Sequence, residues 1–181
     1  VDDPTVDDIY HVGTIACIKQ VLKLPGDNVR LLVEGRSRAV LRAVTQEEPY
    51  FEAALDEVIN PGTPVSIETD ALLRTAHHYF EEYCKTSGRI TNDTMQSVLE
   101  IEDPGQLADI IAANVLSKID DRQQVLEEFD DLTRLESVCA MLVKETELAG
   151  VEKKVQARVR KQIEQNQKDY FLREQIKAIQ T

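Results

Sequence analysis

The most restrictive feature of this chain is where its helix-breaking residues lie. From Gln106 to Thr181 there is no proline and a single glycine, Gly150, whereas five of the six prolines lie before residue 65. Proline and glycine interrupt helices and mark turns. The sequence therefore predicts an α+β chain, with strands and turns in the first third and helices in the rest.

The first third carries short β-branched or alternating runs separated by turn signals. The predicted strands cover residues 12–22, 29–34, 38–48 and about 51–59. Strands joined by short turns pair antiparallel by default, and Leu24-Pro25-Gly26-Asp27-Asn28 is one such turn signal. The run Gly35-Arg36-Ser37-Arg38 could form a phosphate-binding nest, but its flanking strands favour a hairpin turn.

Five helices are predicted from apolar spacing and cap residues. They run from an Asp70 cap to about Thr86, from Asn92 or Asp93 to Glu100, from Asp103-Pro104 to about Lys118, over residues 122–129 after Asp120, and from about Leu132 onward. Ser87-Gly88 should end the first helix, and Pro104 suits the first turn of the third.

The last helical pattern is too long for a compact domain. Apolar positions step by three and four along Leu132, Leu135, Cys139, Leu142, Thr146 and Ala149, and then by four along Val151, Val155, Val159 and Ile163. Fifty helical residues span roughly 75 Å, against roughly 30–35 Å for the rest of the chain. The far end should leave the globule and present its narrow stripe to another chain or domain. Gly150 is predicted as a kink or hinge.

Charge and composition exclude several classes of protein. The chain carries 33 acidic and 21 basic residues, a net charge of −12, which argues against a dedicated nucleic-acid binder. Residues 150–181 are nonetheless net +4; we favour a solvated helix face docking on acidic neighbours over a polyanion contact. No charge-free stretch is long enough to span a membrane. Three distant cysteines fit a reducing compartment, hence the cytoplasm.

No catalytic, cofactor-binding or metal-binding residue can be assigned. His77-His78 with Glu81, Glu82 and Cys84 offers i,i+4 ligand geometry, but lacks the second histidine of a zinc-protease motif, and ordinary His–Glu pairs on an exposed helix explain it better. No P-loop, dinucleotide fingerprint or nucleophile elbow occurs. We expect the adjacent acid pairs to be solvated surface and helix caps rather than a catalytic dyad; these pairs are Asp2-Asp3, Asp7-Asp8, Asp120-Asp121, Glu127-Glu128 and Asp130-Asp131.

The sequence contains a series of short runs that are informative when taken together: DDIYHVGT at 7–14, IKQ at 18–20, LKLP at 22–25, VEGRSRA at 33–39, Asp103-Pro104, LAD at 107–109, IAA at 111–113, Lys118, Gln123, Val125-Leu126, Arg134-Leu135, VEKKV at 151–155, Val159, Lys161-Gln162 and YFLREQIKAIQ at 170–180. Together they resemble the amino-terminal domain of bacterial Lon, the ATP-dependent protease. They extend over essentially the whole chain, and the closing run is the most specific of them.

The resemblance implies a small PUA-like antiparallel subdomain at 1–66, a helical bundle at 67–131 and a long helix at 132–181. The family's domain begins with further strands, so we expect the β part here to be incomplete at its start. In the family the module helps to recognise unfolded or degron-bearing proteins and supports hexamer assembly. The AAA+ motor, its ATP and Mg²⁺, and the Ser–Lys protease follow it, so this stretch is not itself expected to be an enzyme.

Two kinds of contact are therefore predicted for this module. Weak, multivalent binding of exposed apolar client segments would use the turn and the helix stripe, and the candidate residues are Leu24, Pro25, Met141, Leu142, Tyr170, Phe171 and Leu172. The same residues could instead pack in the core or contact a neighbouring subunit. A purely structural scaffold for assembly, and a regulatory nucleic-acid contact through the basic helix, are the alternatives.

Overall fold

Turn residues and helix caps set the element boundaries in the computed structural model, which describes residues 4–26 and 28–179. Within these residues a 3-10 turn at Val6–Asp8 precedes three strands, β1 Val12–Lys23, β2 Val29–Gln46 and β3 Glu52–Glu57. Five helices follow: α1 Ile67–Ser87, α2 Asn92–Leu99, α3 Pro104–Val115, α4 Ile119–Glu127 and α5 Asp131–Ile179. The α+β class is confirmed, with the strands first and the helices after them.

The three strands form one antiparallel sheet in the order β1-β2-β3. β1 pairs with β2 along its whole length, whereas β3 pairs only with Ala39–Gln46 of β2. The outer half of the β1–β2 hairpin is therefore a two-stranded ribbon, which we call the distal ribbon and define as residues 17–23 and 29–34. Its turn closes with a hydrogen bond from the Leu24 amide to the Asn28 carbonyl, and Gly26 has φ +80°. Asp27 of the predicted turn lies outside the described residues, as do residues 1–3 and 180–181.

The predicted hairpin turn at Gly35-Arg36-Ser37-Arg38 is wrong. β2 runs through all four residues, so two predicted strands are one. Ile15 pairs with Ser37 and Ala16 with Gly35, which leaves Arg36 without a partner residue as a β-bulge. Gly35 serves close packing rather than a turn, because a Cβ there would lie 3.2 Å from the Thr14 Cγ2 atom.

Helix ends follow local capping chemistry. The first helix begins earlier than predicted, because Ser66 rather than Asp70 is its N-cap and accepts a hydrogen bond from the Thr69 amide at 3.0 Å. Gly88 ends it at φ +63°, as predicted. Asp103 caps α3 with Pro104 in its first turn, also as predicted. α3 ends at Val115 and α4 begins at Ile119, each within a few residues of the predicted positions.

The hydrophobic core lies within the helical part of the chain. Its largest fully buried apolar side chains are Phe80, Leu107, Ile111, Leu135, Leu142, Val98 and Val138. From the strands, only Ala39 is buried among the described residues. The sheet is therefore held against the helices mainly by its inner end, and most of its apolar surface stays exposed.

The last helix belongs to the core at one end and projects at the other. α1 and α5 run side by side in the same direction, since Asn60 and Thr63, just before α1, contact Asp131, while Arg89, just after it, pairs with Glu152 at 2.6 Å. Every described side chain of α5 beyond Glu152 is exposed. Roughly 40 Å of helix therefore extends past its last partner, as the length of the pattern predicted.

Candidate functional site

The distal ribbon is an exposed apolar surface on the sheet. Both of its faces carry large side chains that are about half exposed, and these are Ile18, Val21, Leu22, Val29, Leu31, Leu32 and Val33, at 44 to 59%. β3 does not reach this half of the hairpin, and the helices pack against the other end. Contiguous apolar surface of this kind usually marks an interaction site.

The predicted turn contacts lie at the tip of this ribbon. Leu24 is 38% exposed and Pro25 is exposed beside it. Gly26 adopts φ +80°, a left-handed conformation that glycine accepts without steric cost and that suits a turn. The turn and the ribbon form one continuous apolar element.

A second apolar surface follows the outer part of α5. Val151, Val155, Val159 and Ile163 are 46 to 55% exposed, and each lies about one helical turn after the last. Farther out, Tyr170, Phe171 and Leu172 are 68, 62 and 45% exposed. These residues are free to contact a partner.

The remaining predicted contacts lie inside the bundle. Leu142 is 1% exposed and belongs to the core, and Met141 packs against that core. Leu142 therefore offers no surface to a partner in this fold. Gly150 lies within continuous helix, and a Cβ there would meet only the Thr86 Cγ2 atom, at 3.9 Å. The structure thus places the candidates on the hairpin tip, in the core and on outer α5 rather than in one cluster.

Where the sheet meets the helices, an arginine makes the main contact. Arg38 of β2 donates two hydrogen bonds to the Asp109 carboxylate, at 3.0 and 2.5 Å, and a third to the Leu126 carbonyl at 3.0 Å. A bidentate arginine–carboxylate pair is among the stronger polar contacts in proteins. This pair joins β2 to α3, and the third bond joins it to α4.

A buried ion pair continues this network to the start of α5. The Arg134 guanidinium lies 3.3 Å from Asp109 and donates to Asp131 at 2.5 Å, and both Arg134 and Asp131 are about 2 to 5% exposed. Asn60 and Thr63 donate to the same Asp131 carboxylate at 2.6 to 2.9 Å. The segment before α1 is thereby tied to the first turn of α5.

Asp131 corrects the expectation that the acid pairs are solvated or cap helices. Its neighbour Asp130 does behave as a cap, since its carboxylate accepts from the Thr133 amide at 2.8 Å and this bond lowers the pKa of Asp130. Asp131 is buried instead, and four hydrogen bonds from three side chains satisfy its charge. The i,i+3 spacing of Asp131 and Arg134 was the sequence signal that these two side chains could form an ion pair. Their burial could not be predicted in the same way, because it requires Gly105 of α3, whose lack of a side chain leaves room for the pair.

A cleft of about 450 Å³ opens where the sheet meets α3 and α4. Its lining residues come from β1, β2 and these two helices, and they are Thr14, Gly35, Arg36, Ser37, Arg38, Asp109, Ala112, Ala113, Arg122, Val125 and Leu126. Sequence reasoning missed this cleft, because its residues converge from segments more than a hundred positions apart.

The histidine cluster is divided between surface and core, because His78, Glu81 and Glu82 lie at or near the surface while Cys84 is buried in the hydrophobic core. His78 lies 3.9 Å from Glu82, and Lys85 pairs with Glu81 at 2.9 Å, which lowers the pKa of Glu81. Among residues 4–26 and 28–179, no group of three or more His, Cys, Asp or Glu side chains is arranged to hold a metal ion. No helix in that part of the chain is both long and apolar enough to cross a membrane.

Comparison with known proteins gives a consistent result. Residues 1–144 match the family model described as the ATP-dependent protease La (LON) substrate-binding domain. A Lon protease from Desulforamulus reducens is 47% identical over 95% of this chain, and one from Clostridioides difficile is 43% identical over 99% of it. The chain spans only 21 and 23% of these two relatives.

A solved structure agrees with the sequence relatives. The N-terminal domain of a Mycobacterium avium complex Lon protease superposes with a TM-score of 0.59 at 26% identity, over 80% of this chain and 74% of that one. The match covers most of both chains and supports a shared fold.

Proposed function

This chain belongs to the family of ATP-dependent protease La (LON) substrate-binding domains, and we propose that it is the N-terminal module of a longer ATP-dependent serine protease. In this proposal the module has two roles. It recognises unfolded or degron-bearing proteins, and it assembles with other copies of itself. Relatives that carry the name Lon protease match it with about a fifth of their length. On this proposal the AAA+ motor with its ATP and Mg²⁺, and the protease, belong to the remainder of the parent enzyme.

The observation that carries the recognition role is the exposed distal ribbon. Val21, Leu31 and Leu32 are each at least half exposed, on strands with unpartnered faces. Unfolded proteins differ from folded ones in exposing apolar side chains, and an apolar, two-faced ribbon can contact many different sequences. Burying such surface is worth about 25 cal/mol per Å² before the costs of association are subtracted.

Single contacts of this kind are weak, so we propose that several copies act together. In an oligomer one bound client segment raises the effective concentration of the next, and avidity can exceed single-site affinity by roughly 10²–10⁴-fold. The tip residues Leu24 and Pro25, and the outer residues Tyr170, Phe171 and Leu172, are proposed as further contacts, because all are exposed. Gly150 remains a proposed hinge.

The recognition role is tested by titrating the chain with an unfolded protein and with a folded one of the same size, followed by NMR. We expect chemical-shift changes on the distal ribbon with the unfolded protein only. Val21→Ser should weaken binding at least about threefold, the order expected for losing a half-exposed apolar contact. Val65→Ser is the matched control, since Val65 is 91% exposed and lies off the sheet. Equal binding of folded and unfolded proteins would refute the proposal.

Assembly is the second candidate role, and the outer stripe of α5 supports it. Val155, Val159 and Ile163 form a narrow apolar line on a helix without neighbours, which is the arrangement that coiled-coil partners cover. Val159→Lys should shift sedimentation toward the monomer, whereas Ala157→Lys, with the same added charge about 160° around the helix from Val159, should not. If both variants sediment as the unaltered chain does, the stripe is not an assembly surface.

If the unaltered chain assembles through α5 but binds no unfolded protein, the module is a scaffold alone. A regulatory nucleic-acid contact through the basic end of α5 would instead show steep salt dependence. We further infer a cytoplasmic location, supported by three cysteines that form no disulfide. The division at residues 66 and 131 is likewise proposed; it falls beside the starts of α1 and α5.

A further inference from the structure

The cleft between the sheet and helices α3 and α4 has the character of a binding site. Its floor is apolar, built from Ala112, Ala113, Val125 and Leu126, and its volume of about 450 Å³ falls within the usual range for small ligand sites. Neither the distal ribbon nor outer α5 contributes to its lining. It is thus separate from the surfaces to which recognition and assembly are assigned above.

One wall of the cleft departs from regular strand geometry. Gly35, Arg36, Ser37 and Arg38 are consecutive in β2 and all four line the cleft. Successive side chains of a regular strand point to opposite faces, so a regular strand would offer only every second residue. The bulge at Arg36 breaks this alternation, and bulges commonly re-aim side chains beside functional sites.

The charge of the lining is positive in a chain of net charge −12. Three arginines and one aspartate line the cleft, and the Asp109 carboxylate is already occupied by Arg38. Arg122 donates from Nε to the Leu116 carbonyl at 2.6 Å and from Nη2 to the Ala113 carbonyl at 3.3 Å, and neither bond uses its Nη1 group. Arg36 has no acceptor within the part of the chain that the structure describes.

We propose that this cleft binds a peptide carboxylate flanked by apolar side chains, with Arg36 and the Nη1 group of Arg122 as the donors. A guanidinium matches the geometry of a carboxylate, while the apolar floor takes the neighbouring side chains. A free inorganic anion would leave that floor uncovered. The proposal rests on the role in client recognition, because such a carboxylate would be the C-terminus or an acidic side chain of a client.

The test uses the whole chain and three short peptides of leucine and alanine, titrated by fluorescence anisotropy at low salt. One ends in a free carboxylate, one is amidated, and one is amidated with an internal glutamate. We expect at least one of the two carboxylate peptides to bind with an affinity at least about fivefold higher than that of the plain amidated peptide. This difference is of the order that a charge-assisted hydrogen bond contributes. Which of the two binds identifies the source of the carboxylate.

Arg36→Gln should weaken binding of the carboxylate peptides at least about fivefold and leave the plain amidated peptide unchanged. Arg42→Gln is the matched control, since Arg42 is exposed on the same strand, lies outside the distal ribbon and does not line the cleft. Because Arg36 is also exposed, both variants should fold, which a thermal melt verifies. Arg36→Lys should recover part of the loss.

Three results would overturn the proposal: equal affinity for all three peptides, unaltered affinity in Arg36→Gln, or displacement of the peptide by inorganic phosphate at comparable concentration. Titration with an unfolded protein distinguishes failure of the cleft proposal from failure of the proposed role in client recognition. If unfolded protein binds while the peptides do not discriminate, recognition stands and the cleft assignment fails. If the peptides discriminate but unfolded protein does not bind, the cleft stands and general recognition fails.

Discussion

At the scale of single residues, two helical glycines have opposite roles. Gly105 lies against the buried ion pair, and a Cβ there would sit 2.6 Å from the Arg134 Nη2 atom and 2.8 Å from the Asp131 Cγ atom, with Asp131 Oδ1 nearer still. Gly150 has open space around it, with its nearest neighbour at 3.9 Å. Local helix propensity, which favours alanine at both positions, is therefore overridden at one of them.

We expect Gly105→Ala to lower the free energy of unfolding by about 2–4 kcal/mol, because the added methyl group displaces a buried ion pair. Gly150→Ala should raise it by about 0.5–1 kcal/mol, since it gains helix propensity without a clash. Urea unfolding measures both. If the two substitutions change the free energy of unfolding in the same direction, the packing described here is contradicted. If Gly150→Ala is more stable but no longer binds unfolded protein, the proposed hinge is supported.

A second residue-scale effect concerns Cys139, because burial of its thiol raises the pKa of that group to about 11 from an ordinary value of about 9. As pH rises through 9 the unfolded chain loses this proton first, so the thiol's contribution to stability declines between pH 9 and 11. The measurement compares the free energies of unfolding of the unaltered chain and of Cys139→Ala. The difference between them should fall by about 1–2 kcal/mol as the pH rises from 8 to 11. A difference independent of pH would mean that the thiol is not buried.

At the scale of elements, α5 is one helix in two environments. Its first turns pack against α1 and α3, and its residues Leu135, Val138 and Leu142 are buried. Beyond Glu152 every described side chain is exposed, and pairs such as Arg160–Glu164 at 3.0 Å add only about 0.2–0.5 kcal/mol each. Most helical stability in proteins comes from packing, so the two parts should differ in stability.

Hydrogen exchange followed by mass spectrometry tests this difference. In dilute chain, peptides covering residues 132–149 should exchange near the rate of global unfolding, and peptides covering 155–173 at least about tenfold faster. At high concentration the outer peptides should become protected if the stripe of Val155, Val159 and Ile163 is covered by a second copy. Uniform protection along the dilute helix would refute the division.

At the scale of the whole molecule, polar contacts rather than a shared apolar core hold the sheet to the helices. The hydroxyl of Tyr10 donates to Asp120 at 3.2 Å and raises its own pKa by that bond, and Gln123 donates to the Val12 carbonyl at 3.0 Å. The Arg38–Asp109 pair is the most sheltered of these contacts, with the arginine side chain 17% exposed. The orientation of the sheet should therefore depend on this pair.

We expect Arg38→Met to destabilise the chain by about 2–3 kcal/mol, because Asp109 and the Leu126 carbonyl both lose a donor. Lys19→Met is the matched control, since the Lys19–Glu34 pair is about half exposed on the distal ribbon and should contribute less than about 1 kcal/mol. Thermal unfolding of the two variants checks the difference. Equal effects would show that the sheet is held by something other than this pair.

Much of the architecture could be predicted from the sequence, because it depends on neighbours along the chain. The Gly88 and Asp103-Pro104 helix ends, the 3,4 apolar spacing from Leu132 to Ala149 and the projection of the last helix all follow from local rules. The candidate surfaces were predictable in part. Tyr170 and Leu24 are exposed, as their proposed roles require. Leu142 belongs to the 3,4 apolar spacing from Leu132 to Ala149 and is buried in the core.

By itself, then, the sequence determined the order of strands and helices, the length of the last helix and the separation of acidic body from basic end. Only the tertiary structure decided that Arg36 is a bulge facing a cleft, that Asp131 is buried and that Gly105 must remain small. The physical reason is that helix caps and apolar periodicity act over a few residues. A bulge, a buried charge and a cleft depend instead on which distant groups arrive beside them, such as Arg38 beside Asp109.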